Sequence, residues 1–375
     1  MARHMRMFRV HDLHHVVVVF ALLFSFMAIA HYIFATDPNT VYVARQVSRV
    51  PTGKRPTIRR SLNISVVVVV NEPSQLDEYK FALDTVRCYA LMHNYTLLVV
   101  NGNDYLKCRQ KDTMFRRHCV VAELLKYTEW ILFIDADIGV VNPNRLIEEF
   151  IDDRYDITFY DRFCSWEVAM GSYIVKNTAF SQSFLRNFAN FESRLPQSFH
   201  GSDNGAIHAY LLETLMPELR PDASICYRIW HESRGFDDLF LFEACIRAVM
   251  GSRRTLDNVR IFRKGTGWVR DIWITNSQWS AERDFMLHGM KESDRATIPD
   301  GLLSTLRSMV SSRFTWYPPL TKQLDVKQCA SGKAKWQFDR RLRVPLAIVE
   351  KQLHDMAQSV EKRRWRALGL VYGYL

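Results

Sequence analysis

The sequence predicts an α/β fold in which helices flank a mixed, mostly parallel sheet, preceded by an N-terminal transmembrane helix. Two apolar runs, Ile64–Val70 and Trp130–Ile134, have the length and the β-branched or aromatic content of strands buried on both faces. Helical patterns alternate with such runs along the chain, which is typical of βαβ units. Near the N-terminus, residues 16–35 form a mostly apolar run of about 20 residues, which is long enough to cross a hydrocarbon core.

The run at 16–35 is interrupted only by Ser25 and His31, and it predicts an uncleaved signal anchor. The alternative is a cleaved secretory signal, because Ala-Ile-Ala at 28–30 has the form of a cleavage site. Basic residues flank the run on both sides, so charge alone leaves its orientation open. We expect a single-pass type II protein of the Golgi or ER membrane with residues 1–15 in the cytoplasm, or, under the alternative, a secreted protein.

The rest of the chain divides by composition. Residues 36–61 combine prolines, a glycine and cations without apolar periodicity, which predicts a solvated stem. Residues 62–338 are long enough to bury one large core. Residues 339–375 predict a C-terminal helical extension, whose arginines form either a solvated face or a contact with a membrane surface.

Within the large domain the predicted elements follow in order. The strand at 64–70 ends at Asn71, and the strand at 130–134 ends at Asp135. Between and after them, hydrophobic periodicity predicts helices at 76–94, 112–127, 144–151, 178–191 and 203–215, and strands at 96–100, 156–160 and 168–176.

Charge placement argues against a nucleic-acid partner. The chain has a formal net charge of +10, but residues 72–332 carry 34 acidic and 31 basic groups. A nucleic-acid binder needs its positive charge on the folded surface that faces phosphate. Here the excess lies in the flanking segments.

Two sequons and seven cysteines fit a lumenal domain. Asn63 and Asn94 each begin an Asn-x-Ser/Thr sequence, which predicts a glycoprotein. None of the cysteines has a Cys-x-x-Cys neighbour, so a zinc ribbon or thioredoxin motif lacks support. An odd number leaves at least one cysteine unpaired and allows one to three disulfides.

Several common glycine-rich motifs are missing from the sequence. It contains no Gly-x-x-x-x-Gly-Lys-Ser/Thr, no Gly-x-Gly-x-x-Gly and no Gly-x-Ser-x-Gly pattern, and only 15 glycines in all. P-loop kinases, Rossmann dehydrogenases and α/β-hydrolases therefore lose their main sequence support.

The strongest chemical signal is Asp135-Ala136-Asp137, directly after an apolar strand. In an open α/β sheet, ligands bind outside the carboxyl ends of the strands. Two acids at that position repel each other unless a cation lies between them. Hard oxygen ligands suit Mn²⁺ or Mg²⁺, which in turn holds phosphates. The alternative is a helix cap or a solvated turn.

The stretch 127–137, continuing to Val141-Asn142-Pro143, resembles the Asp-x-Asp strand of the GT-A glycosyltransferases, whose fold is Rossmann-like. It is most similar to the retaining galactosyl- and mannosyltransferases of the yeast Golgi type and to a nematode family of nucleotide-diphospho-sugar transferases. Further segments resemble elements of those enzymes in the same order, at 169–177, 202–207 and 287–291. The similarity covers roughly residues 62–291. It implies that the domain at 62–338 is catalytic.

The resemblance implies roles for residues near the Asp pair. His288 is the expected third metal ligand beside Asp135 and Asp137, although a lone histidine is more often a surface or core residue. Lys291 is expected to stabilise the departing diphosphate, and its alternative is a solvated lysine.

The remaining expected contacts lie on both sides of the Asp pair. Asp203, assigned a catalytic role, and Asn204 are expected to bind the donor sugar, with a helix N-cap as the alternative for Asp203. The other expected substrate-binding residues are Asn71, Arg116, Gly171 and Gly289. An acceptor platform of Trp268, Trp273 and Trp279 competes with burial of these side chains in the core.

The sequence therefore predicts a Mn²⁺- or Mg²⁺-dependent hexosyltransferase. It would move a galactose-like hexose from a nucleotide diphosphate sugar, with UDP favoured, to a hydroxyl of a glycan or glycoprotein. Retention of configuration is implied by the resemblance alone, since no pair of carboxylates can be assigned as acid and base. The alternatives are a sugar-nucleotide binding protein without turnover and a metal-dependent phosphoesterase.

Overall fold

The computed structural model describes residues 62–298 and 314–373 of the 375-residue chain. The predicted tail, anchor and stem, residues 1–61, lie outside the described residues and stay predictions. No helix within residues 62–298 and 314–373 combines the length and the apolar character that a membrane crossing needs.

The first half of the domain is a parallel βαβαβ unit, close to the predicted order. Its elements are β1 (Ile64–Val70), α1 (Lys80–His93), β2 (Thr96–Asn101), α2 (Thr113–Leu124) and β3 (Trp130–Ile134). A 3₁₀ helix at Pro73–Tyr79 precedes α1, and Asn94 ends α1 with a left-handed φ of 58°. β1 lies between β2 and β3 and pairs in parallel with both.

β1 is buried on both faces because its alternate valines join different cores. Val67 packs in one hydrophobic cluster with Phe115 of α2. Val66 and Val68 pack in another with Leu83 of α1. The two helices therefore cover opposite faces of the sheet, which explains why the sequence of β1 has almost no polar position.

The second half changes strand direction. Its elements are β4 (Ile138–Val140), β5 (Ile157–Tyr160), β6 (Ser172–Lys176), α3 (Ala179–Asn190), α4 (Ser202–Leu215), α5 (Ser224–Glu232), α6 (Phe236–Met250), β7 (Thr255–Leu256), β8 (Val259–Phe262), β9 (Val269–Asp271), β10 (Met286–His288), α7 (Val326–Cys329) and α8 (Leu346–Gly373). The described strands form a sheet with the order β2-β1-β3-β6-β5-β8-β7 and a smaller sheet with the order β4-β10-β9.

The structure confirms a mixed sheet with flanking helices, but the expectation of a mostly parallel sheet is wrong. β6 runs antiparallel to β3 and to β5, and β7 runs antiparallel to β8. In the larger sheet, among the described residues, only β5 and β8 add a parallel pair to those of the first half, and in the smaller sheet β9 and β10 pair in parallel. The segment between β5 and β6 is too short for a helical crossover, so these neighbouring strands run in opposite directions.

Two predicted elements are shorter than expected. The helix predicted at 144–151 is a single 3₁₀ turn at Ile147–Phe150, whose end residues are both buried. The strand predicted at 168–176 is regular only from Ser172, and Val168 makes an isolated bridge to Asp161. Residues 169–171 are therefore free of regular pairing where they pass the end of β3.

The C-terminal helix and the disulfides tie distant segments to the domain. Val360 of α8 shares a hydrophobic cluster with Phe240 of α6. The cysteine pairs are Cys88–Cys329, Cys108–Cys119 and Cys226–Cys245, and Cys164 is buried and unpaired. This pattern agrees with the range of pairings that an odd cysteine count allows.

Candidate metal centre

The end of β3 meets a glycine from the neighbouring segment. The backbone N–H of Asp135 donates to the carbonyl of Gly171 at 2.7 Å. A Cβ atom at Gly171 would lie 2.5 Å from Oδ2 of Asp135. A side chain at position 171 would therefore displace the carboxylate of Asp135, against which Gly171 lies.

The small sheet brings His288 to Asp137. β10 pairs antiparallel with β4, and His288 lies opposite Ile138 in that register. The backbone N–H groups of Gly289 and Met290 donate to the carbonyl of Asp137 at 3.1 and 2.9 Å. Gly289 has a φ of 105°, which an L side chain rarely adopts, so glycine is required for the turn that follows β10.

Asp135, Asp137 and His288 form a cluster suited to a metal ion. One ligand atom from each of the three lies within 4.8 Å of the others. Nε2 of His288 is 3.3 Å from Oδ1 of Asp137. The side chains of Asp135 and His288 are 25% and 24% exposed, so the cluster is open on their side while Asp137 is buried.

The charges of the three groups depend on one another. Burial raises the pKa of Asp135 to about 6, with Arg117 opposing and Asp137 adding to the shift. Burial also disfavours ionisation of Asp137, but the charge of His288 holds its pKa below the usual range. Burial alone would lower the pKa of His288, yet Asp137 and Asp271 raise it to about 10. The carboxylates therefore favour a positive charge at the place where they meet.

Asp271 holds the far side of the His288 ring, and sequence reasoning missed it. Its Oδ1 is 3.0 Å from Nδ1 of His288 and 2.8 Å from Nη2 of Arg162. Burial disfavours its charge, but Arg162 and His288 hold its pKa well below the usual range. Because β9 pairs in parallel with β10, Asp271 lies opposite His288. Only this pairing identifies Asp271, since the sequence around it carries no motif.

A buried ion network supports the other carboxylate. Arg117 of α2 pairs through one nitrogen with Asp135 and through the other with Asp203, the latter at 2.5 Å. Nε2 of His118 is 3.0 Å from the same Asp203 oxygen, Oδ2. Arg117 therefore links the first carboxylate to α4, and it is the arginine that reaches the Asp pair.

This network changes the interpretation of Asp203. Its side chain is 1% exposed and faces Arg117 and His118. The N-cap of α4 is Gly201, and no side chain caps this helix, so the capping alternative for Asp203 is wrong. A direct contact with a sugar would require the buried network to open, whereas a positioning role through Arg117 needs no change.

Asn204 and Gly171 line a small cavity next to the cluster. Oδ1 of Asn204 accepts from the backbone N–H of Met170 at 3.0 Å. The cavity is also bordered by Asp135 and His288 and has a volume of about 30 Å³. That is room for about one or two water molecules, so a sugar has to bind on the exposed side of the cluster.

Asn71 and Arg116 meet at the ends of β1 and β2. The carbonyl of Asn71 accepts from Nδ2 of Asn103 at 2.7 Å. Arg116 donates to Oδ1 of the same Asn103 and, through Nε, to the carbonyl of Gln110 at 2.9 Å. Tyr79, at the end of the 3₁₀ helix after β1, has a pKa raised by burial and by the charges of Asp137, Glu78 and Asp135.

Lys291 and the three predicted platform tryptophans differ in their exposure to solvent. Lys291 is exposed, and its charge contributes to the low pKa of Asp137. Trp268 and Trp279 are 2% and 1% exposed, so they belong to the core and cannot form the acceptor platform. Trp273 is half-buried and packs beside the cluster that contains Val349 of α8.

Comparisons with solved structures give loose similarities. A glycosyltransferase involved in the glycosylation of the major capsid of PBCV-1 is 14% identical, with a TM-score of 0.36, over 60% of this chain and 92% of that one. The glycosyltransferase GlyE of Streptococcus pneumoniae TIGR4 is 13% identical, with a TM-score of 0.30, over 44% and 47%. The catalytic domain of Drosophila β1,4-galactosyltransferase 7 is 12% identical, with a TM-score of 0.23, over 33% and 51%. With identities and TM-scores this low, the similarities do not establish a shared activity.

The sequence comparisons identify a family. No curated protein matches the sequence significantly. Neither the curated proteins nor the solved structures confirm the resemblance to the yeast Golgi-type or nematode families. The model of the family described as "Protein of unknown function, DUF273" matches residues 86–305, more than half of the 375-residue chain and all three candidate metal ligands. The chain therefore belongs to the DUF273 family.

Proposed function

We propose that this protein is a divalent-metal-dependent glycosyltransferase that transfers a hexose from a nucleotide diphosphate sugar to a glycan hydroxyl. The observation that carries the proposal is the meeting of Asp135, Asp137 and His288 at the carboxyl end of β3. Parallel strands β1, β2 and β3 end at this edge, which is where open α/β sheets bind their ligands.

The three side chains fit Mn²⁺ or Mg²⁺. Two carboxylates and one imidazole are hard or intermediate ligands, and nitrogen in the set favours Mn²⁺ of the two. Without a metal ion, Asp137 and Asp271 raise the pKa of His288, so a metal ion would bind in place of the proton on Nε2 of that ring. When bound, such an ion would neutralise the diphosphate of the donor as the sugar bond breaks.

Other residues of the chain would orient the donor. Asn71 and Arg116 are held together through Asn103, which supports a nucleotide contact at the ends of β1 and β2. Lys291 is exposed near Asp137 and offers a cation to the leaving diphosphate. Arg117 would act as a positioning residue, because it holds Asp135 through a buried ion pair to α4.

The donor is proposed to be a UDP-hexose of the galactose type and the reaction to be retaining, both on the resemblance to GT-A enzymes. The three disulfides among the described residues support folding in an oxidising compartment, and with it the predicted lumenal location. Asn63 and Asn94 are both exposed, which suits the predicted glycosylation.

The test is a donor screen on the purified full-length chain with a mass-spectrometric readout of transfer and of donor hydrolysis. Mn²⁺ should support turnover and EDTA should abolish it. Asp137→Ala should lower the rate at least about 100-fold, because metal stabilisation of a leaving group is worth several kcal/mol. Asp222→Ala removes an exposed carboxylate and is the matched control.

Three results would contradict the proposal. Equal activity of Asp137→Ala and Asp222→Ala would exclude the metal role of Asp137. Nucleotide-sugar binding without transfer or hydrolysis across the donor and acceptor panel would favour a binding protein. Hydrolysis of simple phosphate esters with no sugar transfer would favour a phosphoesterase.

A further inference from the structure

A second and larger cavity opens beside the metal centre. This groove is lined by ten residues from the segments 109–112 and 192–200 and has a volume of about 730 Å³. Ligand pockets in proteins commonly measure about 300–1,000 Å³. His200 lines the groove, and Asn204 lines the small cavity at the metal centre. The groove is linked to the metal centre through the start of α4, because Asp112 of the groove accepts from Ser202 and the next residue, Asp203, pairs through Arg117 with Asp135.

The two carboxylates of the groove, Glu192 and Asp112, accept hydrogen bonds from other groups of the protein. Both oxygens of Glu192 accept from backbone N–H groups, those of Lys111 at 3.0 Å and Asp112 at 2.7 Å. Asp112 accepts from the backbone N–H of Met114 at 2.8 Å and from Oγ of Ser202 at 2.5 Å. These acids shape the walls of the groove and leave few free acceptors in it.

The donors of the groove, in contrast, are free. The side chains of Arg109 and Lys111 are exposed and make no hydrogen bond or ion pair within residues 62–298 and 314–373. Nδ1 of His200 accepts from the backbone N–H of Ser202 at 3.0 Å, so the neutral ring carries its proton on Nε2. The groove carries two cations and two carboxylates, so their formal charges balance. The cations are exposed, whereas the carboxylates are half-buried and hydrogen-bonded to the protein, so the groups that meet a ligand are three donors, which suit carboxylate or sulfate groups.

An exposed aromatic pair adjoins the groove. Phe199 lies between two groove residues in the chain, and its ring centroid is 4.9 Å from that of Phe236. The side chains are 37% and 76% exposed. Sugar rings have apolar C–H faces that pack on aromatic rings, whereas an acidic peptide has no such rigid face. Trp268 and Trp279 are buried, whereas Phe199 and Phe236 present an exposed aromatic surface next to the groove.

We propose that the groove binds the acceptor, and that the acceptor is an acidic glycan carrying uronic acid or sulfated sugars. Arg109, Lys111 and His200 would bind its anionic groups, and Phe199 and Phe236 would pack against a neighbouring sugar ring. The groove, joined to the metal centre through the first residues of α4, would bring a sugar hydroxyl towards the donor. This inference rests on the proposed function and specifies its acceptor.

Binding to the full-length chain tests the proposal directly. The probes are a hyaluronan hexasaccharide with carboxylates, a chondroitin sulfate hexasaccharide that adds sulfates, neutral chitohexaose and hexaglutamate. We expect both acidic glycans to bind at least about tenfold more tightly than chitohexaose, with affinity falling as salt rises. The two acidic probes distinguish carboxylate from sulfate recognition.

Two variants with a matched control assign the binding to the groove. The double variant Arg109→Gln/Lys111→Gln should weaken acidic-glycan binding about tenfold, since two exposed ion pairs together contribute at most about 2 kcal/mol. Lys333→Gln/Lys335→Gln removes two exposed cations from the part of the chain that packs with α1, on the other face of the sheet, and should leave binding unchanged. Phe236→Ala should weaken glycan binding but not hexaglutamate binding.

Each other outcome overturns the acceptor proposal. Equal binding of chitohexaose would remove the charge selectivity. Hexaglutamate binding as tight as that of the glycans, and unaffected by Phe236→Ala, would make the groove a peptide site. Competition between UDP and the glycan for the groove would assign it to the donor. Donor hydrolysis without glycan binding would refute the acceptor groove alone, and glycan binding without any donor turnover would refute the proposed function alone.

Discussion

Gly171→Ala tests the contact between the segment before β6 and Asp135, the first carboxylate of the candidate metal centre. An added Cβ would lie 2.5 Å from Oδ2 of Asp135, and real Cβ contacts essentially never fall below 3.0 Å. The carboxylate therefore has to move by at least about 0.5 Å, which exceeds the roughly 0.2 Å tolerance of a metal–ligand bond. Changes that displace a ligand typically cost about 10- to 100-fold in metal affinity.

Stability should change little, because the atom that has to move is the end of a side chain that is 25% exposed. We expect the free energy of unfolding to change by less than about 1 kcal/mol. Mn²⁺ affinity is measured by electron paramagnetic resonance of the free ion, and the unfolding free energy by urea denaturation. Gly235→Ala is the matched control, since a Cβ there meets no atom within 4 Å and the backbone φ of −176° accepts any residue.

Transfer activity should follow metal occupancy. At limiting Mn²⁺ the Gly171→Ala enzyme should lose activity by the factor seen in binding, and excess Mn²⁺ should restore much of it. A folded Gly171→Ala protein with the Mn²⁺ affinity of Gly235→Ala would refute the reasoning, because Asp135 would then not be a ligand.

Three further predictions concern single groups. Asp271→Asn removes the charge 3.0 Å from Nδ1 of His288 and should weaken Mn²⁺ binding about tenfold in the same titration; unchanged affinity would contradict the role of Asp271. Burial lowers the pKa of His208 to about 4, below its ordinary 6.5. The unfolded chain therefore takes up a proton at His208 that the folded protein does not, and about 3 kcal/mol of the free energy of unfolding, present above pH 6.5, is lost as the pH falls towards 4. In urea denaturation from pH 7 to 4, His208→Gln should show a correspondingly smaller loss, and parallel pH profiles would contradict this. Cys88→Ser removes the disulfide to Cys329, which closes a loop of 241 residues. Because this cross-link limits the conformational entropy of the unfolded chain, its loss should lower the free energy of unfolding by up to about 5 kcal/mol. A decrease of less than about 1 kcal/mol would contradict that reasoning.

Local patterns in the sequence predicted the first half of the fold well. The all-valine run of β1 indicated a strand covered on both faces, and α1 and α2 do cover them. The acids after Trp130–Ile134 lie at the end of a buried strand, as their position in the sequence indicated. These features depend on side chains close together in the chain, so periodicity is enough to identify them.

The second half was harder to predict because its strand directions depend on distant pairings. Neither the antiparallel run of β6 nor the short 3₁₀ turn at Ile147–Phe150 has a distinct local signal. The burial of Trp268 and Trp279 is known only from the structure, since nothing in the sequence distinguishes a core tryptophan from one on a binding surface.

The sequence by itself predicted the α/β class, the candidate metal ligands Asp135 and Asp137 and, through a resemblance, the third candidate ligand His288. Only the tertiary structure decided that Arg117 holds Asp135, that Asp203 is enclosed by an ion network, and that Asp271 lies behind His288. The physical reason is that hydrogen bonds and ion pairs act over about 3 Å, while the residues that form them here come from strands and helices far apart in the chain. Residue type and spacing record what a side chain can do, and the register of the sheet decides which partner it meets.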